Sequence, residues 1–414
     1  MPKSVLPEGR KSAARGIFLL GPAFVAAIAY VDPGNVAANL TGGAAFGYML
    51  VWVLVAANLM AALVQYQSAK LGIVTGRTMP QLLGERMRPA QRRLFWGQAE
   101  LVAVATDLAE VIGGAIALNL LFGLPLFWGG LIVGAISMCL LALQTRHGQR
   151  PFEFVIVGLL AIIAVGFLAG LVVSPPDGGA VLEGLIPRFD GAESVLLAAS
   201  MLGATVMPHA IYVHSALARD RHGKARDAAD RKRLLGATRW DVIIALSIAG
   251  VVNIGMLLLA AGNLRGVDGT DTIEGAHAAI ESALGPAIGL VFAIGLLASG
   301  LASTAVGSYA GATIMEGLLG WRIPVFSRRV LTMIPALIIL AIGVSPTWAL
   351  VISQVFLSFG IPFALVPLLK LTSDRTVMGD AANRPLVNWA LGLVVVLVVA
   401  LNVTLIVLTL MGGA

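Results

Sequence analysis

The chain has 414 residues, 58% of them hydrophobic and only 12% charged, with a mean hydropathy of +0.90. Soluble domains carry about 25% charged residues, so this chain lacks the polar residues needed to cover a water-facing surface. Its single cysteine, Cys139, excludes an internal disulfide and any cysteine-based metal site, and its net charge of +6 suggests nucleic acid only until the charges are placed.

A membrane-spanning helix needs about 20 apolar residues. Eleven stretches qualify: 17–46, 48–70, 95–122, 126–143, 152–173, 193–218, 240–262, 283–317, 329–343, 348–369 and 388–410. The first resembles a signal peptide, because Lys11 and Arg15 precede the run Gly16–Val31. Ten more stretches follow it, so it is read as a span. It is interrupted at Tyr30-Val31-Asp32-Pro33-Gly34-Asn35. Pro33 removes a backbone donor and clashes with the preceding turn, and Gly34 admits left-handed angles, so the helix should unwind there. The third span carries three carboxylates, Glu100, Asp107 and Glu110, spaced to share one side of a helix. The fourth holds Gly130 and Gly134, and Cys139 in an apolar run, where a small core residue is expected. The sixth is interrupted at Ala204-Thr205-Val206-Met207-Pro208-His209, with His214 beyond. The run Arg219–Arg239 reads as a solvated loop. In the eighth, Gly295, Ser299, Ser303, Gly307 and Gly311 recur at four-residue spacing, which serves either a sliding face or close helix packing. Arg328 and Arg329 open the ninth, and Gln354 lies in the tenth.

Placing the N-terminus inside puts every one of the 28 basic residues except Arg188 and Arg265 on the inner side. The outer loops carry Asp177, Glu183, Asp190, Glu193, Asp268, Asp271, Glu274 and Glu281. The basic balance is therefore a topology signal, with no nucleic-acid partner implied. It predicts a cytoplasmic N-terminus, an outer C-terminus at Ala414, and residence in the lipid bilayer of a bacterial inner membrane. No obligatory protein partner is evident.

Irregular backbone at membrane depth survives only when buried in protein or lining a cavity. Breaks in spans one and six are the corresponding members of a five-plus-five inverted repeat, whose binding site lies at the midplane. The chain is thus read as one all-α transporter domain over 1–414. Repeat one covers about 17–173, repeat two about 193–369, and an extra helix about 388–410. At the breaks Asp32 offers an anionic oxygen, Asn35 an amide oxygen and Met207 a thioether, with a freed carbonyl near Ala204 or Thr205. Oxygen alone suits Na⁺, Mg²⁺ or Ca²⁺; sulfur turns the preference toward transition metals. Each ionisable group at membrane depth costs at least about 2.5 kcal/mol, so the carboxylates need partners, water or a shared task. A chain of carboxylates, Glu100, Asp107 and Glu110, running from the site toward the paired Arg328 and Arg329 suits proton movement; a structural ion-pair network is the plainer alternative. His209 is open to three roles: ligand, proton acceptor or hydrogen-bonded core residue. Gln354 is a polar group able to reach the site in one conformation.

The segments Asp32-Pro33-Gly34-Asn35 and Met207-Pro208-His209, in the first and sixth of eleven spans, resemble the paired signatures of the Nramp family of proton-coupled divalent metal transporters. The resemblance covers nearly the whole chain and implies a LeuT-like fold with an added eleventh helix. It implies that Asp32, Asn35, Met207 and the Ala204 carbonyl bind metal, with Gln354 joining in an occluded state. Asp107, Glu110, Arg328 and Arg329 match the family's proton path, and His209 its histidine beside the site. Met207 argues against the branch that moves Mg²⁺. The expected function is secondary transport of Mn²⁺, Fe²⁺ or similar ions into the cytoplasm with protons. No enzyme activity and no cofactor are implied: there is no nucleotide-binding loop, and no His-Glu-x-x-His motif of a metalloprotease. The alternative on the same fold is a sodium-coupled amino-acid symporter, which needs donors for a carboxylate at the breaks.

Overall fold

Proline marks the starts of these helices and glycine several of their ends. Pro22, Pro33, Pro89, Pro208, Pro286, Pro346 and Pro385 each open a helix, where the missing N–H has no intrahelical partner to lose. Gly76, Gly123 and Gly320 close three long helices in the left-handed conformation, at φ of 70°, 66° and 72°. The computed structural model describes residues 21–147, 149–321 and 323–411. Lys3, Arg10, Lys11, Arg15, the start of the predicted first span, Arg322 and Ala414 lie outside these.

Among the described residues the regular structure is all helical. The first passage consists of α1 (Pro22–Ile28), a 3-10 turn (Ala29–Val31) and α2 (Pro33–Phe46). Then come α3 (Val51–Thr75), the short α4 (Met79–Arg86), α5 (Pro89–Phe122), α6 (Leu126–His147), α7 (Gln149–Val173) and the short α8 (Gly178–Glu183). The sixth passage is again two pieces, α9 (Gly191–Thr205) and α10 (Pro208–His222). It is followed by α11 (Ala228–Asn263), α12 (Ile273–Leu284), α13 (Pro286–Leu319), α14 (Val325–Ile342), α15 (Pro346–Ser373), the one-turn α16 (Arg375–Met378) and α17 (Pro385–Leu410). Eight of these helical stretches are long and apolar enough by themselves to cross a membrane. The rest of the eleven passages are made up by α1, which stops at the first break, by α6, and by α14, which carries Arg328 and Arg329.

The passages form two halves of five, each opening with a broken helix, and α17 stands against α15 and α9 at the side. The broken helices are central: α9 and α10 pack on α3 and α15, while α2 packs on α11. The outer surface is apolar, with Phe154, Val172, Leu331, Leu386 and Leu397 among its exposed side chains. That suits lipid as the surrounding solvent. Tryptophans collect near helix ends, as in an aromatic belt. Trp52, Trp128 and Trp348 stand toward the end holding the acidic loops; Trp96, Trp240, Trp321 and Trp389 toward the end holding the basic ones.

Three expectations need correction. The arginine-rich segment before residue 240 is not all loop, because α11 already starts at Ala228, capped by the Asp227 side chain on the Asp230 N–H. Charge is compatible with helix where the helix projects beyond the bilayer. The eighth span does not begin at 283: α12 ends at Leu284, and Gly285, at φ 96°, turns the chain before Pro286. Cys139 is not in the core but exposed, since in lipid the apolar side of a helix can face outward.

Candidate functional site

Each break begins with the donor that proline cannot supply. Pro208 lacks the N–H that would bond the carbonyl four residues earlier, and that carbonyl belongs to Ala204. The freed Ala204 oxygen accepts instead from Asn35 Nδ2 at 3.0 Å, which ties the two breaks together. The same Nδ2 donates to Asp32 Oδ1 at 2.8 Å. Asp32 also caps α2, its Oδ1 accepting from the Asn35 N–H at 2.8 Å. The loosened carbonyls of the first break find partners on other passages. Val31 O accepts from Ser299 Oγ at 2.5 Å, and Tyr30 O from Asn253 Nδ2 at 2.6 Å.

What remains unsatisfied is telling. Asp32, Asn35, Met207 and Gln354 are fully buried. Asp32 Oδ2, Asn35 Oδ1, Gln354 Oε1 and Thr205 Oγ1 are buried without a hydrogen-bond partner. Asn35 must use its nitrogen on Asp32 and Ala204, so its free amide atom is the oxygen. Gln354 packs its side chain against Gly34, in the space a Cβ there would fill. Its nitrogen donates to Ser353 Oγ at 3.3 Å. The buried groups left open by the breaks are thus mainly acceptors, and one bears a charge. Burying such atoms unpaired costs free energy that a bound cation would offset. No group of three or more His, Cys, Asp or Glu able to hold a metal occurs among the described residues. The donor set at the breaks is instead mixed: carboxylate, amide, carbonyl and thioether.

A second buried set connects α5, α6, α13 and α14. Arg329, 1% exposed, pairs with Asp107 at 2.9 Å. Its Nε donates to Ser137 Oγ at 3.1 Å and its Nη2 to Thr304 Oγ1 at 3.4 Å. Arg328 pairs with Glu100 at 2.7 Å. Glu110 is fully buried, and neither of its oxygens has a hydrogen-bond partner. His209 Nδ1 lies 3.3 Å from Thr106 Oγ1. The Thr106 hydroxyl also lies 3.1 Å from Val102 O, so it stands between that carbonyl and the ring. Of the sequence-predicted residues, Asp32, Asn35, Ala204 and Gln354 gather at the breaks beside buried Met207. Glu100, Asp107, Arg328 and Arg329 form two ion pairs, with Glu110 one turn on from Asp107 on α5 and His209 nearby on α10.

Sequence reasoning singled out Tyr30 and His214 but missed the chain of polar residues that joins them. His214 Nδ1 donates to Gln65 Oε1 at 2.7 Å, and Gln65 Nε2 donates to the Tyr30 hydroxyl just before the first break. Asn253, which holds the Tyr30 carbonyl, accepts from Asn39 Nδ2 at 2.9 Å. Their signal was available: amides at the centre of apolar spans are costly and need partners.

Residues 23–408 match the profile of the Nramp family, natural resistance-associated macrophage protein-like. The divalent metal cation transporter MntH of Mycobacterium tuberculosis is 59% identical over 405 residues, covering 98% of this chain and 95% of that protein. The crystal structure of the Eremococcus coleocola manganese transporter, in complex with an aromatic bis-isothiourea substituted compound, superimposes with a TM-score of 0.86 at 32% identity, covering 96% of this chain and 87% of that one. The fold extends to MhsT, solved with L-phenylalanine, at a TM-score of 0.58 and 13% identity over 92% of this chain and 98% of that one.

Proposed function

The chain belongs to the Nramp family, and from that premise we propose that it carries Mn²⁺, Fe²⁺ or a similar divalent ion into the cytoplasm in company with protons. One observation carries the metal half of this reading. Where Asn35 ties the two breaks together, Asp32 keeps a buried, unpartnered carboxylate oxygen, and the buried Met207 stands at the second break, three residues after Ala204. Asp32, Asn35, Met207 and the Ala204 carbonyl are the ligands of the transported ion, and Gln354 joins them when the site is closed. A set of acceptors attracts a cation and repels a carboxylate, so it gives the amino-acid symporter no support. The amide and carboxylate oxygens suit Ca²⁺ or Mg²⁺ as well, so it is the thioether that favours a transition metal.

The proton half rests on Glu110, the carboxylate without a partner, followed by the Asp107–Arg329 and Glu100–Arg328 pairs. His209 links the two halves through Thr106, on the same helix as all three carboxylates. Repeat one spans 17–173, repeat two 193–369, and the added helix 388–410. The protein lies in a cell's inner membrane, with its N-terminus in the cytoplasm and Ala414 outside. Membrane voltage assists entry: each charge crossing 100 mV gains roughly 2.3 kcal/mol, so a divalent ion gains about 4.6.

The test is purified protein in liposomes, with Mn²⁺ uptake and internal pH recorded together. Mn²⁺ entry with internal acidification is expected. Failure to move Mn²⁺, Fe²⁺ or Cd²⁺ overturns the reading, and metal entry with no proton movement overturns its second half. A cytosol-dependent reporter fused after Ala414 should be silent; an active one would reverse the C-terminal orientation.

A further inference from the structure

The small residues of α13 do not all serve one purpose. Gly295 lies against another backbone: a Cβ there would stand 3.0 Å from the Cα of Gly166 on α7. That is ordinary close packing in lipid. From Gly300 onward the same helix meets different neighbours. A Cβ on Gly300 would stand 3.0 Å from Gly114 N and 3.1 Å from the Glu110 carbonyl on α5. Thr304, four residues on, accepts from Arg329. Gly307 faces the Glu110 carboxylate, and a Cβ there would lie 2.9 Å from Oε1 and 3.3 Å from Oε2. Gly311 faces the guanidinium of Arg328, which fills the volume of the absent Cβ. Steps of four, three and four keep these residues on one side of the helix.

Packing alone does not explain the last two glycines. What they meet is not a helix backbone but the ends of charged side chains. A glycine inside a helix also costs about 1 kcal/mol relative to alanine. An independent observation points to the same place: both oxygens of Glu110, wholly buried, have no hydrogen-bond partner. The groups acting on Glu110 are Asp107, one turn back on its own helix and near enough to share a proton with it, Arg329 on α14 and Asp32 at the first break. At Gly307, α13 offers neither bulk nor a side-chain donor that would hold the carboxylate in one position.

We propose that Gly307 and Gly311 are positioning residues, whose missing side chains leave the volume in which the Glu110 carboxylate and the Arg328 guanidinium sit. The face of α13 thereby sets the spacing of the acid–base chain and leaves Glu110 free to exchange partners. This rests on the reading that the chain conducts protons.

The experiment compares wild type, Gly307→Ala, Glu110→Asp and the Gly307→Ala/Glu110→Asp double variant in liposomes, reading protons moved per Mn²⁺. Gly307→Ala should lower proton movement about tenfold, as displacement of a reacting group by a fraction of an ångström does. Glu110→Asp shortens the acid by one methylene and returns the space that the new methyl takes. The double variant should therefore exceed the product of the two single effects by at least about threefold. Wild-type proton movement in Gly307→Ala, or effects that simply multiply, overturns the proposal. Should Gly307→Ala fail to insert, recovery of folded protein in the double variant supports it, and no recovery overturns it. A Glu110→Gln arm separates the two levels. Normal proton movement there removes the proton reading and this proposal with it. Loss there without loss in Gly307→Ala removes only the role of the glycine.

Discussion

At the paired breaks, Asp32 is buried with no ion pair among the described residues, whereas 75 residues further on Asp107 is buried against Arg329 at 2.9 Å. Both are aspartates in a broken or polar part of an apolar helix. The first is held by an N–H and an amide, which orient it without cancelling its charge. The second is neutralised by a guanidinium that is itself fixed by Ser137 and Thr304. A lone buried charge is costly unless a mobile cation completes it, while a paired one is self-sufficient. On the proposed reading, the first region is completed by its cargo and the second stands when the cargo has left. Glu110, with both oxygens unpartnered, is the exception within the second region, and on the proposed reading it is the group that exchanges a proton.

The sharpest way to break this contrast is Asp32→Asn. Asparagine caps a helix as well as aspartate does, so α2 should keep its start and the protein should insert normally. The charge facing the ion is gone, however, and uptake should fall at least about a thousandfold, roughly 4 kcal/mol. Near-normal Mn²⁺ uptake by a well-expressed variant would take Asp32 out of the site.

The second region should respond in the opposite way. Asp107→Asn leaves Arg329 charged, buried and unpaired, so it should cost about 3 kcal/mol of stability. Glu110→Gln orphans no cation and should fold like wild type while moving fewer protons. Thermal unfolding in detergent separates the two. Equal melting temperatures for both variants would mean that the Asp107–Arg329 pair is not what holds this region.

Met207 sharpens the contrast from the side of the cargo. It is fully buried at the second break, and in the proposed site it supplies the sulfur. Met207→Ala keeps Asp32 and Asn35 and admits water, a hard ligand. The ratio of Cd²⁺ to Mn²⁺ uptake should drop about tenfold, equivalent to 1.4 kcal/mol, and excess Ca²⁺ should begin to inhibit. An unchanged ratio and the same indifference to Ca²⁺ would make Met207 a packing residue.

The larger features were legible because they are written in long apolar runs and in proline. All eleven passages and both breaks could be read from composition and from Pro33 and Pro208. Even the identity of the freed carbonyl was within reach, since a proline at 208 disarms the oxygen four residues earlier; the sequence reading nevertheless left Ala204 and Thr205 open. What stayed hidden depends on rotation and pairing. Spacing put Glu100, Asp107 and Glu110 on one side of α5. It could not say that two of them meet arginines and the third a glycine. The helical run 228–239 looked like loop because its charges were read as solvation, and α12 was hidden because its amphipathic pattern sits between two spans. Cys139 was misplaced by a rule for soluble cores that a lipid-facing helix does not obey.

The smallest effect is expected where an ion pair lies outside the membrane. Asp374, in the loop after α15, pairs with Arg86 of α4 at 2.9 Å and caps α16 through the Thr376 N–H at 2.7 Å. The Thr376 hydroxyl first, and then Arg86, hold its carboxyl at about 2, below the usual 3.8. A depressed value means that the interaction is complete above the unfolded value and is lost only as pH falls through about 2. Asp374 therefore keeps its charge throughout the range in which uptake is measured, and it cannot contribute to any pH response there. Exposed pairs of this kind contribute little, so Asp374→Asn should change Mn²⁺ uptake by less than about twofold. The shape of its pH profile should match wild type, in contrast to Glu110→Gln, which should flatten it. A profile displaced by Asp374→Asn would mean that the loop between α15 and α17 senses protons, and that pH sensitivity does not belong to the buried carboxylates alone.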